Sequence, residues 1–198
     1  MGQNAHQRLN ADEALEKLLA GNKRFVSGKQ LHPNQSKKSR KAVVEAQEPM
    51  AAILTCADSR VPPVVIFDQG IGDLFVVRVA GNIIDNHTLG SIEYALVHLL
   101  TPLVVVMGHS SCGAVSAVAQ GAQLDGHMAT FVPPIQAAIK NVEDPRDDLV
   151  DRAAREVAKM VTARINESEP IIADYVRDGR VKVVAAYYDL ESGEVSIL

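Results

Sequence analysis

Leu103-Val104-Val105-Val106-Met107-Gly108-His109-Ser110-Ser111-Cys112-Gly113 joins a short, wholly apolar run to a turn that carries an imidazole and a thiol. An aliphatic run of this length, stopped by glycine, reads as a strand buried on both faces, as in a parallel sheet. The same texture recurs at 51–55, 74–79 and 181–186. Between these runs apolar residues return at helical spacing, at about 62–68, 88–100, 113–120 and 150–166. The last of these puts Val150, Ala153, Ala154, Val157, Ala158, Val161 and Ile165 on one face. Strand alternating with helix predicts an α/β fold with a mostly parallel central sheet flanked by helices. After the turn at Glu191-Ser192-Gly193, residues 195–198 predict an edge strand added by a hairpin.

Upstream of the first strand the pattern changes. Asn10-Ala11-Asp12-Glu13 reads as an N-cap with its reciprocal acid three residues on, and Leu15, Leu18, Leu19, Asn22, Phe25 and Val26 follow along one helical face. Residues 27–36 read as a loop and 37–46 as a second short helix. The chain is therefore expected to be one domain over 1–198, with an N-terminal helical arm at 1–48 and the sheet core and C-terminal helices at 49–198. The first helix has an apolar stripe but no neighbouring strand in sequence. A partner subunit is its expected surface, which predicts a homodimer or a dimer of dimers.

The bulk properties exclude several classes. A hydrophobic fraction of 47% with 22% charged residues is that of a soluble globular protein, and a net charge of −4 offers no electrostatic reason for a nucleic-acid partner. The basic run Lys37-Lys38-Ser39-Arg40-Lys41 reads as a solvated helix start. No window approaches the ~18–20 apolar residues of a membrane span, so no membrane partner is expected. Met1 to Leu9 is polar and lacks the apolar stretch of a secretory signal. Two cysteines are too few for a disulfide scaffold, so reduced thiols and a cytoplasmic location are expected.

The chemistry sits beyond the strand ends. Cys56 follows the run 51–55, while His109 and Cys112 follow 103–107 and Gly108. Residues just past the carboxyl ends of neighbouring parallel strands converge on one crevice. Two thiolates and an imidazole form a catalytic zinc set that leaves a fourth position open. Spacing alone also admits buried thiols beside an unrelated histidine, or a lone reactive cysteine. A phosphatase-like loop is excluded because only three residues, 57–59, separate Cys56 from Arg60. Gly70-Ile71-Gly72 fails as a dinucleotide fingerprint because Phe75 occupies the third glycine position and the segment precedes a strand. Asp58 and Arg60, which can form a bidentate pair, stand beside Cys56.

Cys56-Ala57-Asp58-Ser59-Arg60-Val61-Pro62, followed by Gly108-His109-Ser110-Ser111-Cys112-Gly113, resembles the two signatures of the β-class carbonic anhydrases, over roughly residues 10–195. The resemblance implies one Zn2+ per subunit held by Cys56, His109 and Cys112, with Asp58 and Arg60 as a catalytic dyad. It implies that a zinc-bound hydroxide attacks carbon dioxide to give bicarbonate and a proton. It makes Gln47, Phe75, Tyr94 and Gly113 substrate-binding residues, some of them contributed by a partner subunit. Ala80 departs from the plant-type pattern, which has valine there, and the absence of tryptophan favours plant-like, constitutively open behaviour. With Arg60 engaged, Asp58 stays off the metal; released, it is free to close the site. The motifs also admit hydrolysis of carbonyl sulfide or carbon disulfide on the same zinc site, or a non-catalytic zinc or bicarbonate-binding module.

Overall fold

The computed structural model describes residues 8–142 and 148–198. Of the polar stretch Met1 to Leu9, residues 1–7 lie outside the described residues. In chain order the elements are α1 (Ala11–Val26), α2 (Lys37–Ala42), β1 (Ala51–Thr55), α3 (Pro63–Ile66), β2 (Leu74–Arg78), α4 (Asn86–His98), β3 (Leu103–His109), α5 (Gly113–Ala119), α6 (Val132–Lys140), α7 (Leu149–Asn166), α8 (Ile171–Arg177), β4 (Lys182–Tyr188) and β5 (Val195–Ile197). Short 3-10 turns occupy Ala80–Asn82 and Gly126–Phe131.

The strands form one sheet in the order β2-β1-β3-β4-β5. The first three pairings are parallel, and β5 returns antiparallel on β4, as the hairpin signal predicts. Because β1 leads outward to β2 on one side while β3 and β4 extend the other, the chain changes direction between β1 and β3. Such a switch point opens a crevice at the carboxyl ends of its two strands.

Strand alternation divides the core in two. Ala52, Leu54, Val104, Val106, Ala185 and Tyr187 face one way, into the cluster built with α4 to α8. Ala51, Ile53, Leu103, Val105, Met107, Val184 and Ala186 face the other way, into the cluster that includes Ala14 and Leu18 of α1 and Ile66 of α3. On α7 the stripe read from the sequence is the buried face: Ala153, Ala154, Val157, Ala158, Val161 and Ile165. Its small residues let the helix come close. A Cβ on Gly108 of β3 would lie 2.7 Å from the Ala154 carbonyl oxygen, so glycine is what admits this approach.

Two expectations need correction. The stripe of α1 is only partly left for a partner subunit: Leu18 and Asn22 are buried within the chain, while Val26 stays 40% exposed. Asn10 caps α1 by accepting from the Asp12 and Glu13 amides, Glu13 answers on the Asn10 amide, and the helix then lays Ala14 and Leu18 on the chain's own sheet. Its buried polar residue, Asn22, donates to the Ile66 and Gly193 carbonyls and accepts from the Val195 amide, fastening the β4–β5 hairpin to α1. The second helix is shorter than 37–46. It ends at Ala42 and buries none of its residues, so little packing extends it. Among the described residues, no helix is long and apolar enough to cross a membrane.

Candidate metal centre

At the switch point, Thr55 Oγ1 donates to the Met107 carbonyl at 2.8 Å, tying the end of β1 to β3 one step before the two chains diverge. Cys56 follows β1. The sequence pattern ended the next strand at Met107, but β3 continues to His109 because Gly108 and His109 pair with Tyr187 and Tyr188 of β4. His109 is therefore held by the sheet ladder. Ser110 fixes the following turn: its amide donates to the Tyr188 carbonyl at 3.0 Å, and its hydroxyl accepts from the Leu190 amide at 2.8 Å. Cys112 is then the N-cap residue of α5.

The ligand-capable atoms of Cys56, His109 and Cys112 lie within 4.8 Å of one another, and all three residues are buried. Nδ1 of His109 lies 2.8 Å from the Ser110 carbonyl oxygen, an acceptor only, so Nδ1 carries the proton. The other ring nitrogen, Nε2, then presents a lone pair. It is buried and has no hydrogen-bond partner among the described residues. A buried polar atom left without a partner is costly, and a metal ion satisfies it. Two sulfurs and one imidazole nitrogen are also the donor types that zinc takes in open sites. The residues fit the metal that their motif implies.

The sulfurs behave as a pair. Cys56 is pulled down to about 4, first by the bond it accepts from the Cys112 thiol, against the opposing effect of burial; the Asp58 and Gly81 amides add to the pull. Cys112 is pushed up by the same shared proton and by burial. A divalent cation replaces that proton, which links binding to proton release. Gly81 approaches with its amide 3.3 Å from the Cys56 sulfur, and its φ of 68° lies in the left-handed region that favours glycine.

Asp58 and Arg60 meet as their types predict. Arg60 Nε donates to Asp58 Oδ1 at 3.0 Å and Nη2 to Oδ2 at 2.7 Å, while the Arg60 amide also reaches Oδ1 at 2.9 Å. The guanidinium holds the Asp58 carboxyl down at about 2, so it is ionised at neutral pH. Its Oδ2 lies 4.0 Å from His109 Nε2. Sequence reasoning missed Arg78, whose side chain donates to the Cys56 carbonyl at 3.0 Å and to the Asp58 carbonyl. A charge inside the apolar run 74–79 was the available signal. It also missed Ser110 and the Gly81 amide, because backbone contacts leave no mark on residue type.

Residues 51–195 match the family model described as carbonic anhydrase. A carbonic anhydrase from Mycolicibacterium smegmatis is 38% identical over 192 residues, covering 95% of this chain and 93% of the relative. The β-carbonic anhydrase CafA of Aspergillus fumigatus aligns at 26% identity with a TM-score of 0.74, over 93% of this chain and 90% of that one. The chain belongs to the β-carbonic anhydrase family. A tetrameric β-carbonic anhydrase from Sordaria macrospora shares the fold at 24% identity and a TM-score of 0.75, over 93% of this chain and 96% of that one.

The remaining residues that resemble β-carbonic anhydrase positions divide between the two ends of the sheet. Gly113 starts α5 directly after Cys112, and a side chain there would meet open space. Phe75 pairs with Ala52, four residues before Cys56, which is roughly 13 Å along a strand. Tyr94 packs against Phe75 at 6.3 Å between ring centroids and against His98 at 5.0 Å. Gln47 and Tyr94 line one open groove of about 560 Å³ with Gly72 and Leu99. Gln47, Phe75 and Tyr94 are thus gathered at one flank of the β-carbonic anhydrase sheet and held away from the same chain's Cys56.

Proposed function

We propose that this family member catalyses the reversible hydration of carbon dioxide to bicarbonate and a proton, on one zinc ion per subunit held by Cys56, His109 and Cys112. The observation that carries this reading is the buried, unpartnered Nε2 of His109 gathered within 4.8 Å of two buried sulfurs, beside a carboxylate already committed to an arginine. Zinc, when bound, lowers the pKa of water from 15.7 to about 7 and so supplies a nucleophile near neutral pH.

The chain's own groups do the rest. Ser110 keeps the proton of His109 on Nδ1, so Nε2 faces the metal position with a lone pair. Two-point binding by Arg60 keeps both Asp58 oxygens occupied while leaving the carboxylate 4.0 Å from that nitrogen, where it orients the proton of the attacking water. Held this way, Asp58 does not compete for the metal, which supports an open enzyme site over a closed binding module. Gly113, unobstructed at the start of α5, offers its amide to substrate oxygen.

Gln47, Phe75 and Tyr94 complete the pocket by serving the site of a second copy, which makes a homodimer or a dimer of dimers the working unit. Their place on the far flank supports this, as do the exposed Val44 and Leu100 nearby. A cytoplasmic location suits two thiols that must stay reduced to hold metal. Stopped-flow carbon dioxide hydration between about pH 7 and 9, on protein of measured zinc content, tests the reading. Turnover should rise with pH, because two thiolates make bound water less acidic than imidazoles would, and should vanish on chelation. Full zinc with no hydration at any pH would overturn it.

A further inference from the structure

We propose that Asp151, in the first turn of α7, is a positioning residue of this site: it holds Ser111 so that the Ser111 carbonyl stays aligned on Arg60, and through Arg60 it governs the hold on Asp58. The inference rests on the reading given above. Ser111 stands between His109 and Cys112 with a φ of 52°, in the left-handed region that a residue with a side chain adopts only at a cost. Contacts on both of its backbone groups keep it there. Its amide donates to Asp151 Oδ1 at 3.0 Å, and its carbonyl accepts from Arg60 Nη2 at 3.3 Å.

The same Nη2 bonds Asp58 Oδ2, so a rotation of Ser111 reaches the dyad in a single step. Asp151 is brought within range by the close approach of α7 to β3. That approach depends on Gly108, against which the Ala154 carbonyl packs, three residues along α7 from Asp151. The turn carrying Ser111 is also fastened to β4 through Ser110, while its Ser111 amide is held from α7 by Asp151. An acid in the first turn of a helix also favours the helix dipole. That role needs the charge and not the acceptor geometry, which separates the two explanations.

The experiment compares Asp151→Ala, Asp151→Asn, Arg60→Ala and the Asp151→Ala/Arg60→Ala double variant. Zinc content, stopped-flow hydration and the visible spectrum of the cobalt-substituted protein are measured for each. Asp151→Ala should keep stoichiometric metal and lose about tenfold in kcat with little change in KM, as a displaced catalytic group does. Asp151→Asn, which keeps an acceptor oxygen, should restore kcat to within about twofold of the parent. In the Arg60→Ala background the Asp151→Ala change should add nothing, because its route is already cut. Equal losses for the Asn and Ala variants, an additive loss in the double variant, or departure of zinc would each overturn the proposal. If the parent protein hydrates no carbon dioxide, it is the functional reading that fails. The cobalt spectrum then still decides on Asp151: it should differ between the parent and Asp151→Ala, and identical spectra would overturn the proposal.

Discussion

At the carboxyl ends of β1 and β3, Cys56, His109 and Cys112 are 5%, 0% and 1% exposed, and Asp58, Ser110 and Ser111 beside them are each bonded to a named partner. Along the flank formed by β2 and α4, Val44, Tyr94 and Leu100 are 76%, 49% and 56% exposed, and Tyr94, packed against Phe75, lines an open groove. One region buries a ring nitrogen beside two sulfurs with no hydrogen-bond partner among the described residues; the other leaves large apolar side chains in water. A lone metal ion settles the first deficiency. Only a surface of comparable size settles the second, and contiguous exposed apolar groups on a folded chain mark such a contact.

The harshest way to break this contrast is to remove a ligand. Cys112→Ala should lose zinc and turnover together, measured by metal analysis and stopped-flow; stoichiometric zinc in the variant would mean that the buried set is not the ligand set. A smaller effect tests whether the two regions work across subunits. Cys112→Ala and Gln47→Ala chains, each impaired alone, are mixed under conditions that exchange subunits. In a two-fold dimer, random mixing should restore about a quarter of parental activity, since half of the dimers are mixed and each holds one intact site. No recovery in exchanged mixtures would place Gln47 with its own chain's metal.

The smallest effect concerns what ties α1 and the loop after it to the segment before β2. Asp68, buried before β2, accepts from Arg24 at 2.6 Å and from the Leu31 and His32 amides at 3.0 and 2.9 Å. Burial alone would raise its carboxyl, but these partners hold it below the ordinary range. A depressed folded value contributes stability above the unfolded pKa, near 3.9, and that contribution disappears as pH falls through the folded value. Asp68→Asn should therefore cost about 1–3 kcal/mol at neutral pH and little in acid. Thermal unfolding of both proteins between about pH 3 and 7 checks this; a gap that stayed constant with pH would assign the cost to packing instead of charge.

Much of this was legible in residue order. Apolar runs at 51–55, 103–107 and 181–186 announced buried parallel strands because their pattern is local, and Asn10 with Glu13 announced the start of α1 for the same reason. The motifs around Cys56 and His109 carried the ligand types. Helices α6 and α8 were not expected: α6 opens Val132-Pro133-Pro134 and α8 follows Pro170. Proline usually signals a break, yet it is tolerated in a first turn whose amides need no partner.

What the sequence by itself determined was therefore the class of fold, the kinds of atom at the metal position and the capacity of Asp58 and Arg60 to pair. Only the tertiary structure decided that β1 and β3 are neighbours, so that Cys56 meets His109 and Cys112, and that α1 buries Leu18 and Asn22 within its own chain. Only it brought Arg78, Gly81 and Asp151 to the ligand loops, and it alone put Gln47, Phe75 and Tyr94 out of reach of the same chain's Cys56. The reason is physical. Propensity and periodicity act over a few residues and survive in the order of side chains, whereas strand order and helix approach are set by how two faces of one sheet are covered at once.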